Sequence, residues 1–593
     1  MAATDLSRTG SAPRRMSLAR REAIEGYICL APWAIGFVVF IAGPMVASFV
    51  LSFAEYDVVR APRFVGLANF QRAFFKDELF WSSLGRTFYY ALLTVPLGLL
   101  GSLLAALLLN QRLRGATFFR TCFFLPHLTP AVAAALLWVW VLQPEFGLVN
   151  YLLGLVGIKG PQWFGSKEWA IPSIAMIALW TGIGGNRMMI FLAGLQGVPS
   201  ELLDAAEVDG ANSFQRFRHV TVPLISPTLF FNLILGIIGA LQVFTTALVA
   251  TNGGPAYATW FYALHIYRTA FQYFTMGYAS ALAWIFFVIV LAFTYVQVKV
   301  SGRWVYYAGG GAVVASSAVA RAPLYAVAVF LSVLFLAPFY WTAVSSLKSV
   351  TEIFLFPPTW VPTVPQWGNY PEVFRRVPFG TFTLNSAIIT SLAVLGTLLT
   401  SSLVAYSFAR FRYPARNFFF MLTLSTMMLP YEVTLIPTYL MYNKLGWLDT
   451  YLPLIVPYWF GGNAFSIFLM RQFFLTIPRE LDDAARIDGA NFLHIFWNVL
   501  LPLAGPVLAT LAVIGFIYHW NDFLGPLIFL DSRTKFTVAL GLRYFQSAQG
   551  LGGEPTEHLL MAASVIFTIP CILIFFAAQR YFVQGIVLSG VKG

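Results

Sequence analysis

Charged residues are scarce in this chain, at 10% of its 593 residues, whereas soluble globular proteins carry about 25%. Hydrophobic residues make up 59% of the sequence, and the mean hydropathy is +0.73. This composition argues against a soluble protein and favours one that crosses a membrane many times. The net charge of +12 does not indicate nucleic-acid binding, because Lys and Arg collect in cytoplasmic loops and no basic run is interleaved with aromatic residues.

Cysteine is also rare. Cys29, Cys122 and Cys571 each lie in an apolar run, where they are predicted to be small buried side chains, and there is no disulfide framework or zinc spacing. No nucleophile–base–orienter set is visible, and the nucleotide-binding pattern GxxxxGK followed by Ser or Thr is absent. We therefore predict no metal site, no catalytic residue and no cofactor in this chain, which leaves ATP hydrolysis to other subunits.

Apolar runs long enough to cross a bilayer, about 20 residues, occur twelve times. The first follows a basic segment without an evident cleavage site and is predicted to be a retained helix. The runs form two series of six: 27–53, 88–109, 118–142, 169–192, 222–250 and 278–300, then 324–344, 386–408, 418–442, 451–474, 507–530 and 559–578.

A segment of small residues separates the two series. Residues 301–321 include Gly309, Gly310 and Gly311 and are predicted to be a linker. The chain then divides into an N-terminal segment 1–26, a first domain 27–300, the linker 301–321 and a second domain 322–593. Arginine is concentrated in alternate loops, so the positive-inside rule places both termini in the cytoplasm. The predicted fold is an all-α polytopic membrane protein with about 12 transmembrane helices in two six-helix repeats.

One polar segment occurs in both halves, after the fourth run of each series. Residues 198–229 read VPSELLDAAEVDGANSFQRFRHVTVPLISPTL, and residues 477–508 read IPRELDDAARIDGANFLHIFWNVLLPLAGPVL. The two align without gaps, with about half of the positions identical. Repetition of a polar stretch at equivalent positions is hard to explain by hydrophobic composition alone, and the alternative interpretation is an ordinary interfacial loop. We call them the first and second repeat segments.

Each repeat segment predicts a short helix–turn–helix on the cytoplasmic side. Acidic residues in the first turns suit the helix dipole, and the following pair of alanines leaves a low surface that another protein can approach. Gly210 and Gly489 are predicted to end the first helix in a left-handed conformation. Asn212 and Asn491 can then cap a second short helix.

The repeat segments resemble the EAA loop of binding-protein-dependent ABC importer permeases, the loop that docks on the ATPase subunit. FVGLANF at 64–70 and NGGP at 252–255 resemble the larger permease of the maltose/glycerol-3-phosphate-type sugar importers. SSLK at 345–348, WNDFL at 520–524, and QRYFV at 579–583 with LSGVKG at 588–593 resemble its smaller partner. The resemblance covers nearly the whole chain and implies that two permeases, usually separate, are fused here.

The resemblance also implies a function and a set of partners. The chain would form the pathway of an ATP-driven importer for sugars or sugar-like solutes, working by alternating access in a bacterial or archaeal cytoplasmic membrane. Two cytoplasmic ATP-binding subunits would use ATP and Mg, and an extracytoplasmic solute-binding protein would deliver the solute; no nucleic acid is expected. The residues implied in ATPase docking are Glu201, Asp204, Ala205, Ala206, Asp209, Gly210, Glu480, Asp483, Ala484, Ala485, Asp488 and Gly489.

Polar and aromatic residues inside the apolar runs are candidates for the substrate path, because sugars are bound by aromatic stacking and by hydrogen bonds, and intramembrane polar groups are often functional. The alternative for each is a structural role, with Gly at a close helix contact and Asn bridging neighbours. The candidates are Asn186, Gln242, Thr245, Thr246, Trp284, Asn463, Trp520, Asn521 and Asp522.

Two other classes of protein fit the composition. A twelve-helix secondary transporter can also have two repeated halves, but it should carry coupling carboxylates in its spans and does not need two matching cytoplasmic loops. A membrane-embedded enzyme such as a glycosyltransferase would need an acidic metal-binding or catalytic cluster at a membrane face, and the sequence contains none.

Overall fold

The computed structural model describes residues 17–111, 113–302, 304–306, 321–549 and 555–588. These residues are almost entirely helical, apart from loops and one antiparallel strand pair, β1 (Ala54–Glu55) and β2 (Arg63–Phe64). Most of the predicted N-terminal segment, Gly309 to Gly311 of the predicted linker and all but the first residue of the LSGVKG motif lie outside the described residues.

The described part of the first half contains sixteen α-helices. They are α1 (Leu18–Gly36), α2 (Gly43–Ser52), α3 (Ala68–Phe75), α4 (Glu78–Leu109), α5 (Ala116–Leu128), α6 (Ala131–Val141), α7 (Leu148–Leu155), α8 (Lys167–Ile183), α9 (Asn186–Gln196), α10 (Ser200–Val208), α11 (Ser213–Arg216), α12 (Val222–Leu224), α13 (Ser226–Leu241), α14 (Thr245–Ala250), α15 (Tyr262–Phe271) and α16 (Met276–Ser301). Turns of π-helix join α1 to α2 and α11 to α12.

The second half repeats this plan with fourteen described α-helices. They are α17 (Arg321–Ser346), α18 (Asn369–Arg376), α19 (Phe379–Arg410), α20 (Arg416–Ser425), α21 (Tyr431–Lys444), α22 (Leu452–Ile455), α23 (Ala464–Thr476), α24 (Glu480–Ile487), α25 (Phe492–Ile495), α26 (Leu501–Leu503), α27 (Gly505–Trp520), α28 (Leu524–Phe529), α29 (Val538–Gln549) and α30 (Glu557–Leu588).

Within the described residues, eight helical segments are long and apolar enough to span a bilayer, or up to twelve if each of four bent pairs is one span. The upper number agrees with the twelve predicted runs. The third run of each half is not straight, however: α5 and α6 meet at 95°, and the helices on either side of Pro430 meet at the same angle. Pro130 and Pro430 explain the bends, because proline lacks an N–H and disfavours helical geometry at the residue before it.

Other predicted runs are also interrupted. The run 507–530 is two helices, since α27 ends at Trp520 and α28 begins at Leu524. The run 451–474 is broken at Gly461 and Gly462, which both have positive φ. Polar and glycine residues at these points interrupt the helical hydrogen bonding that an apolar run alone would predict.

The first helix of each half packs against the other half. In α1, Tyr27 donates a hydrogen bond of 2.9 Å to the Pro414 carbonyl, and Trp33 contacts Phe419 edge-on. In the opposite direction, Trp180 of α8 donates a 3.1 Å bond to the carbonyl of Phe335 in α17. The two sequence halves therefore share one apolar core, which extends from residue 105 to residue 575.

Candidate docking segments and intramembrane cavity

The first repeat segment folds as the sequence predicts. Helix α10 begins after Pro199 and ends at Val208, and Gly210, two residues later, has a φ of +84°. The Gly210 N–H donates to the Glu207 carbonyl at 3.0 Å, and the next N–H donates to Ala206 at 2.9 Å. These bonds satisfy carbonyls at the end of the helix, and the positive φ that they require favours glycine.

The second repeat segment has the same geometry. Helix α24 is followed by Gly489 with φ +86°, and the Ala490 N–H donates to the Ala485 carbonyl at 2.9 Å. Asn491 accepts a hydrogen bond of 2.8 Å from the backbone of His494, as Asn212 accepts one of 2.9 Å in the first copy. The predicted glycine stops and asparagine caps are confirmed in both halves.

The residues assigned to docking lie on open surfaces in this chain. Ala206 and Ala485 are partly buried, and the other ten are exposed: Glu201, Asp204, Ala205, Asp209, Gly210, Glu480, Asp483, Ala484, Asp488 and Gly489. Inspection of the sequence missed three exposed apolar pairs at aligned positions: Leu202 with Leu481, Val208 with Ile487, and Phe214 with Leu493. Val208 and Ile487 are 88% and 86% exposed. The signal was available, because both copies place an apolar residue directly before Asp-Gly.

The base of the second repeat segment contains a buried ion pair. Arg410 Nε lies 3.2 Å from Asp482 Oδ2, and Arg410 Nη2 donates to the Ile477 carbonyl at 2.9 Å. Burial raises the pKa of Asp482, and the neighbouring Arg410 opposes that rise. The aligned residue of the first copy is Leu203, which packs against the apolar core. The two segments are therefore anchored by different chemistry.

Three of the predicted substrate-path residues come together in one cavity of about 320 Å³. Gln242 follows the end of α13, and Thr245 and Thr246 open α14, so all three lie at a break in the fifth span of the first half. The second half closes the cavity with α21 and α28. The lining residues are Tyr90, Gly239, Gln242, Val243, Phe244, Thr245, Thr246, Tyr431, Glu432 and Leu524.

Glu432 is the residue of this cavity that the sequence analysis overlooked. It lies within the run 418–442, which hydropathy predicts to be an apolar span, and the bend at Pro430 brings it to the cavity. A charge inside a predicted span is itself a signal for a functional residue.

The remaining predicted residues lie elsewhere. Asn463 caps α23 by accepting from the Ser466 N–H at 2.9 Å, and it lines a second cavity of about 460 Å³. Trp520 is buried and donates to the Phe567 carbonyl at 3.1 Å. Trp284 packs against Phe49 of α2.

Asn186, Asn521 and Asp522 are also apart from the two cavities. Asn186 is exposed at the start of α9. Asn521 and Asp522 occupy the break between α27 and α28, where Asp522 accepts a 3.2 Å bond from the Gly525 N–H. This bond forms a turn at the start of α28, and Asn521 Oδ1 lies 4.0 Å from Cys571 Sγ.

Comparison with known proteins agrees with this architecture. Residues 98–306 and 397–588 each match the family described as "Binding-protein-dependent transport system inner membrane component". "Probable ABC transporter permease protein YesP" of Bacillus subtilis is 41% identical over 292 residues, which are 49% of this chain and 94% of that protein. "sn-glycerol-3-phosphate transport system permease protein UgpE" of Yersinia enterocolitica is 37% identical over 43% of this chain and 92% of its own length.

A third relative is named for the transport of a different solute. "Arabinooligosaccharides transport system permease protein AraQ" of Halalkalibacterium halodurans is 39% identical over 35% of this chain and 73% of its own length. The predicted importer permease is confirmed, and the secondary-transporter alternative is not favoured. Because the family domain occurs twice in one polypeptide, the chain belongs to the inner membrane components of binding-protein-dependent transport systems and is a fusion of two permease domains.

Proposed function

We propose that this chain forms the translocation pathway for a carbohydrate or sugar-like solute and is driven by ATP hydrolysis on two separate cytoplasmic subunits. An extracytoplasmic solute-binding protein delivers the solute. Relatives named for arabinooligosaccharide and glycerol-3-phosphate transport support this solute class. ATP and Mg belong to the partner subunits, and this chain binds no cofactor of its own.

The observation that carries the docking proposal is the recurrence of one exposed structure in both halves. Each repeat segment presents a short helix, a positive-φ glycine and a capped second helix. Each also exposes three apolar residues at aligned positions, Leu202, Val208 and Phe214 in the first copy. Exposed apolar groups on a polar loop are typical of a protein interface. Two equivalent surfaces suit two ATPase subunits.

The proposed orientation follows from the same segments. Both repeat segments, both termini and the linker 301–321 face the cytoplasm, and the loop that carries β1 and β2 faces outward. The domains 27–300 and 322–593 each supply one docking segment, and together they enclose the cavity lined by Gln242 and Glu432. Closure of the ATPase subunits would move the two segments toward one another and change access to that cavity.

The docking proposal is tested with charge placed on the exposed apolar positions. Val208→Asp and Ile487→Asp should each reduce co-purification of the ATPase subunits, because a charge replaces an apolar contact at the interface. Val59→Asp is the matched control, since Val59 is equally exposed but lies in the loop between β1 and β2. Unchanged co-purification in both repeat-segment variants would contradict the proposed docking role.

Energy coupling is tested with the purified chain in proteoliposomes. The chain alone should not hydrolyse ATP, and uptake should require the ATPase subunits and survive collapse of ion gradients. Uptake by the chain alone in response to a proton or sodium gradient would contradict the proposal.

The solute cavity is tested with Gln242→Leu and Thr245→Val. Both should reduce solute uptake while ATPase co-purification stays intact, because hydrogen-bonding groups are removed only from the cavity. Asn186→Leu is a control, because Asn186 is exposed and does not line the cavity. Equal loss of uptake in the control would remove the cavity from the proposed pathway.

A further inference from the structure

We infer that Glu432 is a specificity-determining residue of the intramembrane cavity, which accepts polyhydroxylated solutes that are neutral or amine-bearing and rejects anionic ones. This inference rests on the proposed function of the cavity as part of the solute pathway. It goes further by assigning the charge class of the solute and the side chain that selects it.

The position of Glu432 is fixed by the backbone. Pro430 precedes α21, and the 95° bend there directs the first turn of α21 away from α20. A carboxylate in the first turn of a helix interacts favourably with the helix dipole. Glu432 is therefore placed by the start of α21, and it lines the same cavity as Gln242 of the first half.

The Glu432 carboxyl group is buried and incompletely partnered. The residue is only 6% exposed, and its Oε2 atom has no hydrogen-bond partner among the described residues. Buried polar atoms in folded proteins are nearly always hydrogen-bonded, and an unpaired buried oxygen is costly. Because Glu432 also lines the cavity, a side-chain rotation that brings this oxygen to the cavity would let a donor on a bound molecule satisfy it.

The other lining residues define what that molecule can be. Gln242, Thr245 and Thr246 offer an amide and two hydroxyl groups, and Tyr90 and Tyr431 offer two phenols. Such groups match the vicinal hydroxyls of a sugar. Glu432 is the one residue with an acidic or basic side chain other than a phenol among the ten described lining residues, and none of them is Lys, Arg or His.

This arrangement disfavours a negative charge on the solute. A phosphate or carboxylate in the cavity would lie beside the Glu432 carboxyl group without a lining cation to pair with it, and the ionised form of Glu432 would repel it strongly in a desolvated site. A hydroxyl or ammonium group would instead donate to the Glu432 carboxyl group. An anionic solute such as glycerol 3-phosphate, for which one relative is named, would therefore be disfavoured in this cavity.

The test uses the purified full chain in lipid nanodiscs and three labelled probes with the same ring: methyl glucoside, glucosamine and glucuronate. Equilibrium binding to the parent should be at least about tenfold weaker for glucuronate than for the other two probes. Glu432→Gln, which keeps the shape and removes the charge, should bring glucuronate to within about threefold of methyl glucoside. Glu432→Asp should retain the discrimination.

Glu78→Gln is the matched control, because Glu78 is also a first-turn carboxylate but is exposed at the start of α4. It should leave the ratios unchanged. Equal binding of glucuronate and methyl glucoside by the parent, or an unchanged ratio in Glu432→Gln, would overturn the inference while leaving the solute cavity in place. If none of the three probes binds the parent, the cavity is not a solute site, and the proposed function fails with the inference.

Discussion

Arg410 and Asp482 form a buried ion pair between the end of α19 and the second repeat segment, with 3.2 Å between Nε and Oδ2. Their side chains are only 3% and 9% exposed. The first half has no such pair at the aligned position, because Leu203 replaces Asp482 and α4 ends at Leu109. One docking segment is thus anchored by charge and the other by apolar packing.

Removing one partner of the Arg410–Asp482 pair should lower the stability of the fold more than removing both. Asp482→Leu leaves the Arg410 guanidinium buried and unpaired, which costs about 3 kcal/mol. Adding Arg410→Leu copies the apolar arrangement of the first half and should restore most of the lost stability. Thermal unfolding in detergent measures both variants, with Asp483→Leu as the exposed neighbouring control. A double variant no more stable than Asp482→Leu would contradict the prediction.

The two positive-φ glycines should be required for docking. Neither Gly210 nor Gly489 has an atom within 4 Å of where a Cβ would lie, so backbone conformation alone determines the cost. A residue with a Cβ in the left-handed region costs about 1–2 kcal/mol, and Val is worse than Ala there. Gly210→Val and Gly489→Val should accumulate in the membrane but lose ATPase co-purification.

The matched variants separate conformation from volume. Gly210→Asn should be tolerated, since Asn adopts the left-handed conformation more readily. Gly505→Ala should be silent, because Gly505 has the same open surroundings without a positive φ. Valine variants that bind the ATPase and transport like the parent would show that these turns are not needed for docking.

Asp77 should make the fold sensitive to acid on the side of the membrane where α4 begins. Tyr278 donates to its Oδ2 at 2.5 Å. Trp260 donates to His265 Nδ1 at 3.2 Å, which leaves the protonated Nε2 to donate to Asp77 at 2.9 Å. Although burial opposes ionisation, these bonds lower the pKa of Asp77 to about 2.

A lowered pKa means that the ionised Asp77 stabilises the fold above pH 4, and that this contribution is lost as the pH falls through about 2. Asp77→Asn should therefore reduce the free energy of unfolding by about 2 kcal/mol at pH 7. The difference from the parent should shrink between pH 4 and pH 2. Thermal unfolding across this range measures it, with Glu78→Gln as control. A difference independent of pH would assign the effect to shape alone.

Gly36 should control the packing of the first helix on the second half. A Cβ at Gly36 would collide with the backbone carbonyl of Phe460, and overpacking of this kind costs about 1–3 kcal/mol. When the chain is divided within residues 307–320 and the halves are co-expressed, Gly36→Val should reduce their co-purification. Gly85→Ala, which meets nothing within 4 Å, should not. Equal recovery of both pairs would show that α1 contributes little to association.

The orientation of the repeat segments can be measured by cysteine labelling without removing native cysteines, because Cys29, Cys122 and Cys571 are buried. A membrane-impermeant maleimide should label Val59→Cys in intact cells, since Val59 is 90% exposed and faces outward in the proposed topology. Val208→Cys and Ile487→Cys should react only after the membrane is opened. Labelling of either variant in intact cells would contradict the proposed orientation.

Much of the fold was predictable because its signals are local. Run length predicted the spans, and the order Asp-Gly-Ala-Asn predicted the turn at both Gly210 and Gly489, since a glycine stop and an asparagine cap depend only on nearby backbone. The bends at Pro130 and Pro430 are also encoded locally, because a proline inside a long apolar run disfavours a straight helix. Run length alone does not reveal them.

The sequence by itself therefore determined the class of protein, the two repeats and the shape of the repeat segments. Tertiary structure decided which distant residues come together. Helix α1 lies on the second half, Arg410 pairs with Asp482, and Glu432 and Gln242 line one cavity between the two halves. These pairs are separated by long stretches of chain, and hydropathy does not distinguish one apolar helix face from another. Their contacts arise from how the helices pack and bend, which no local pattern encodes.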